Sequence, residues 1–151
     1  MKEAFGGLSS DWKEGINWPA VRSWRLNRAQ EAMRRHGLGA LLLMYDENMR
    51  YVSSTYTPGW NRLKPGLRYV VLCEGRDPIV YEQGDIGIHL KANNPWIPPE
   101  NVRHSYSWIK GAVGPAAEQQ VGKFVDALVG DLEAAGVRDA PLGVDFIDIN
   151  M

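Results

Sequence analysis

The sequence predicts an α/β domain in which a mixed β-sheet is flanked by helices. Three observations carry that reading. A helical pattern opens at Pro19 and is stopped by Gly37. A second helical pattern runs over residues 116–135 and is stopped by Gly136. Between them lie apolar runs too short for helices and too apolar for exposed strands. At 151 residues the chain is one domain's worth, long enough for a single substantial core.

Taken in order, residues 1–17 carry Gly6, Gly7, Ser9, Ser10 and Gly15 and read as an irregular arm; residues 18–151 read as the domain. In the first helix Leu26, Ala29 and Met33 share a face, with Arg25, Arg28, Glu31 and Arg35 on the flank and far side. The arginines could bind phosphates. A solvated helix face is the better reading, because a net charge of -1 supplies no positive excess. Residues 40–44 read as a buried central strand, and Asp46, Glu47 and Asn48 follow at once. Two acids and an amide at a strand end can be metal ligands, a catalytic pair or a turn. The turn is preferred: Asp46 can accept backbone N–H groups at the start of a short helical turn that carries Asn48, Arg50 and Tyr51. Residues 67–73 form the next strand, "EGRDP" a turn, and residues 78–81 an antiparallel return. "QGDIGIHLKANNPW" reads as a short helix or wrapped loop and "NVRHSY" as a strand. The second long helix places Val121, Phe124, Leu128, Leu132 and Ala135 on one side. "PLGVDFI" closes as a strand with Leu142, Val144 and Phe146 on one face. The order alternates helices and strands, as an α/β layer requires.

Composition excludes several function classes. A pI near 6.3 gives no pull toward nucleic acid or an anionic membrane. The apolar runs stop at four or five residues, so no transmembrane helix is expected, and the N-terminus lacks a signal peptide's apolar core. A cytoplasmic setting is expected. Cys73 is the single cysteine, which rules out an internal disulfide and a cysteine-based zinc site. His36, His89 and His104 have no second ligand two or four residues on, there is no G-x-S-x-G elbow, and the glycines form neither G-x-G-x-x-G nor a P-loop. No catalytic residue and no metal site are therefore expected in this chain. Of the six tryptophans, Trp18, Trp60 and Trp96 adjoin Gly, Pro or Asn, where an indole more often packs a loop than walls a ligand.

The stretch "RLNRAQEAMRRHGLGALLLMYDENMRYVSS" resembles the opening of the creatinase/aminopeptidase P family of pita-bread metallohydrolases. The resemblance rests on Arg25-Leu26, Gly37-Leu38, the strand at residues 40–44 and Asn48-Met49-Arg50-Tyr51. It continues through "GLRYVVLCEGRDPIVYE" to "GVDF", over about residues 22–147. Ser54 departs from the family pattern, which commonly has glycine there. The resemblance implies a non-catalytic, ribonuclease H-like N-terminal domain, truncated at its C-terminal edge and lacking the catalytic domain. Two divalent metal ions would belong to that absent domain, in an enzyme of the Xaa-Pro peptidase or creatinase kind that cleaves a peptide or small amide-type substrate. A lyase of the dimethylsulfoniopropionate type is the runner-up, and a stand-alone interaction or ligand-binding module is the competing class. The resemblance also implies a homodimer, in which the loop "TYTPGWNRLKPGLR" reaches the neighbouring active site. Trp60, Arg62 and Arg68 are its expected substrate contacts, against the plainer reading that Trp60 packs the loop and the arginines are solvated.

Overall fold

Helix α1 (Trp18–His36) starts where Pro19 suits a first turn, and the Asn17 side chain accepts the Ala20 N–H at 3.1 Å. It ends at Gly37, whose φ of 64° is the left-handed conformation that glycine adopts without a Cβ penalty. These elements belong to a computed structural model that describes residues 15–56, 65–84 and 86–147. Strand β1 (Ala40–Leu43) follows, then helix α2 (Asp46–Ser53), the hairpin of β2 (Tyr69–Cys73) and β3 (Ile79–Glu82), and helix α3 (Ile86–Asn93). Strand β4 (Val102–His104), the single turn α4 (Lys110–Val113), helix α5 (Ala117–Ala135) and β5 (Leu142–Val144) complete the described chain.

The five strands form one mixed sheet in the order β4-β3-β2-β1-β5. β1 runs antiparallel to β2 and parallel to β5; β3 runs antiparallel to β2 and parallel to β4. All five residues of β2 are buried, which explains why its sequence is apolar on both faces. Side chains alternate across the sheet and feed two cores. On one face Leu43, Val70, Leu72 and Val80 meet Met33 of α1, Met49 and Val52 of α2, and Leu90 of α3. On the other, Leu42, Tyr69, Val71, Cys73 and Tyr81 meet Trp108 and, from α5, Phe124 and Leu132. Each such aliphatic or aromatic side chain contributes roughly 1.5–3 kcal/mol on burial.

Two local outcomes differ from the sequence reading. The turn expected after β1 is a two-turn helix, because Met49 and Val52 lie on one side of it and pack into the first core. Leu142 and Val144 are exposed while Phe146 packs into the second core, since β5 has a partner on one side only among the described strands. Among the described residues no helix is long and apolar enough to cross a membrane.

Candidate functional site

The segment from β1 into α2 is fixed by a carboxylate distant in sequence. Asp145, just past β5, accepts the Met44 N–H at 2.8 Å, the Tyr45 N–H at 3.2 Å and the Asn48 side-chain amide at 3.0 Å. Tyr45 and Phe146 pack edge to face at 5.6 Å beside it. Asn48 therefore ties α2 to the end of β5. Tyr51 packs against the first core with Arg25 over its ring at 5.7 Å, and Arg50 lies over the ring of Tyr56 at 5.1 Å. Ser54, where glycine was the family's expected residue, sits at φ 54°, and its N–H bonds back to the Arg50 carbonyl. The left-handed backbone is the physical reason that glycine suits this position.

From Thr55 the chain enters the loop that the sequence singled out. Trp60 and Arg62 lie outside the described residues. The far end of the loop is locked down. Gly66 has φ 86°, and a Cβ there would come within 2.9 Å of the Trp108 ring. The Leu67 carbonyl accepts the Ser105 hydroxyl at 2.8 Å. Arg68 is only 1% exposed. Its Nε stands 2.7 Å from Glu82 Oε2, an ion pair too poorly aligned to count as a good hydrogen bond, and Nη1 stands 3.3 Å from Asp46 Oδ1. Nη2 donates to the Thr55 hydroxyl, which also contacts Ser53 Oγ at 2.7 Å.

This cluster joins the two ends of the loop. Thr55 opens it, Arg68 closes it, and Asp46 and Glu82 hold the guanidinium between α2 and β3. Burial pulls the Arg68 guanidinium below its ordinary range, while Glu82 and then Asp46 act in the opposite direction. Asp46 thus has two duties: its charge stands at the N-terminus of α2, where the helix dipole favours an anion, and it pairs with Arg68. Glu47 stays exposed. Arg68, one of the three expected substrate contacts, is buried at the end of the loop against Asp46, Glu82 and Thr55.

A cavity of about 330 Å³ opens beside the loop's start, lined by Tyr56, Ile86, His89, Leu90, Asn93 and Asn94. A second buried polar network joins the two layers on the α5 side. Tyr81 donates to Asp131 at 2.6 Å, and Arg103 pairs with the same carboxylate. Burial, reinforced by Asp131, pushes the Tyr81 hydroxyl well above its usual range. Among the described residues no three His, Cys, Asp or Glu side chains come together to hold a metal ion.

The sequence reading missed Glu82, although the hairpin contains the signal. β2 and β3 pair Tyr69 with Tyr81, so one step further out the same register sets Arg68 opposite Glu82. Residues 25–138, most of the chain, match the family model described as Creatinase/Prolidase N-terminal domain. No curated protein matches the chain.

Proposed function

From the premise that the chain belongs to the creatinase/prolidase N-terminal domain family, we propose that it is the non-catalytic domain of a two-metal hydrolase of the Xaa-Pro peptidase or creatinase kind. Its task is to shape substrate access and subunit contacts in a homodimer. The observation that carries this reading is the family match over residues 25–138, which includes the Asn48–Tyr51 turn and the loop after it. The metal chemistry, a water activated for attack on an amide-type C–N bond, is the contribution of a further domain.

Within that reading the buried cluster around Arg68 gives the loop a rigid base. Arg68 is a positioning residue, and the substrate contacts are Trp60 and Arg62. A guanidinium can hold a substrate carboxylate in a paired hydrogen bond, and an indole can wall an apolar or cationic group. The test is steady-state kinetics of the full-length enzyme on Xaa-Pro dipeptides. Arg62→Ala is expected to lower kcat/KM about tenfold or more, consistent with loss of a charge-assisted hydrogen bond. Unchanged kcat/KM in both Arg62→Ala and Trp60→Ala would overturn the loop's role. Elimination of dimethylsulfoniopropionate without peptide hydrolysis would replace the hydrolase reading with the lyase one.

A further inference from the structure

We propose that the surface built by α1 and α2 is a docking site for a carboxylate-rich, apolar-bearing segment of a partner protein. Four arginines on this surface lie over aromatic rings. Arg22 is 4.1 Å from the ring centre of Trp96, Arg50 is 5.1 Å from that of Tyr56, Arg28 is 5.4 Å from that of Trp24, and Arg25 is 5.7 Å from that of Tyr51. Among the described residues, the arginines in ion pairs are Arg68, Arg103 and Arg138, none of them on this face. Trp24 is 57% exposed, Tyr56 49% and Trp96 37%. Arginine and aromatic residues are the types enriched in protein interfaces and their hot spots. A guanidinium resting on a ring is held in place while its N–H groups remain free to engage a carboxylate.

Charge and shape decide the occupant. Residues 18–53 hold six arginines against Glu31, Asp46 and Glu47, so this segment is +3 in a chain of -1 and the remainder is -4. Arg34 and Arg35 have a local role in the last turn of α1, where cations favour the helix dipole. Arg50 has the same role in the last turn of α2, but Arg22, Arg25 and Arg28 have no such explanation. Beside them a groove of about 250 Å³ runs between α1 and the Trp96 segment. Leu26, Val52, Pro78 and Ile97 give it an apolar lining, Arg22 stands on its α1 side and Asp77 contributes a carboxylate on the other. An apolar side chain fits this lining, with neighbouring carboxylates falling toward Arg22 and away from Asp77. A continuous phosphate backbone would meet the Asp77 charge, and the same face of a second copy would be repelled.

The proposal is independent of the catalytic reading, because its test needs no activity. A fluorescein-labelled peptide of alternating glutamate and leucine is titrated with the 151-residue chain at low ionic strength, and binding is followed by anisotropy. Binding is expected to weaken about tenfold or more in the Arg22→Gln, Arg25→Gln double variant, to weaken similarly when serine replaces the peptide's leucines, and to persist in Lys123→Gln on α5. Circular dichroism checks that the variants fold. Equal binding by the folded double variant would overturn the proposal. So would tighter binding of a uridylate oligonucleotide, or self-association in sedimentation that the arginine substitutions abolish, since these assign the face to RNA or to a second copy.

Discussion

Arg68 is a buried cation facing two buried carboxylates, and such a site is costly to leave half occupied. Ion pairs in the interior gain little over well-packed apolar groups, but removing one partner strands the other without water. Arg68→Met keeps much of the side chain's length and removes the charge that faces the Asp46 and Glu82 carboxylates. The expected loss is about 3–5 kcal/mol, read from urea denaturation. Adding Asp46→Asn and Glu82→Gln to Arg68→Met should recover part of that loss, because the buried negative charges are then gone as well. A triple variant no more stable than Arg68→Met would show that the guanidinium acts through packing. The rule that isolated charges are not buried also shows how the cluster was readable. Glu82 closes the apolar run "IVY" and Arg68 precedes "YVVLC", so opposite charges on the two strands at the open end of one hairpin imply each other.

Helix α2 is the element where local chemistry and the distant fold meet. It is eight residues long, too short to be stable alone, and it holds because Met49 and Val52 are buried and Asp145 grips the preceding turn. Its C-cap is Ser54 at φ 54°, a conformation that costs a residue with a Cβ about 1 kcal/mol. Ser54→Gly is therefore expected to stabilise the chain by about 0.5–1 kcal/mol, raising Tm by a few degrees in thermal melting. A lower Tm would mean that the Ser54 side chain offsets the backbone strain. The same helix marks the limit of what the residues disclose. α1 and α5 were legible because their apolar spacing is long and a glycine ends each. The strands of the central sheet were legible because runs such as "YVVLC" can only be buried. α2 was read as a turn because one or two apolar residues in eight do not separate a helix from a loop. The contact that organises it comes from Asp145 at the other end of the chain, and no local pattern reports such a partner.

Across the whole molecule the two faces of the sheet differ in chemistry. The face under α1 and α2 is lined with aliphatic residues and Met, whereas the face under α5 contains Cys73, Tyr69 and Tyr81, all buried against Phe124, Trp108 or Asp131. Burial raises the Cys73 thiol from 9.0 to about 11, with Asp131 adding to the shift, and raises both tyrosine hydroxyls well above their ordinary range. The folded state thus keeps its protons at pH values where the unfolded chain begins to release them. The stability contributed by neutral Cys73 is fully present below pH about 9 and is lost as pH rises through about 11. Denaturant midpoints measured across that interval should fall with rising pH. Cys73→Ala costs stability at every pH through the cavity it leaves in a central strand, by less than a large-to-small change of a bigger side chain. It should also flatten the decline that begins near pH 9, leaving the steeper loss that sets in from about pH 10, where Tyr69 and Tyr81 begin to lose protons in the unfolded chain but not in the folded one. A slope unchanged by Cys73→Ala would place the alkaline weakness elsewhere, in charge repulsion over the whole surface instead of the α5 core.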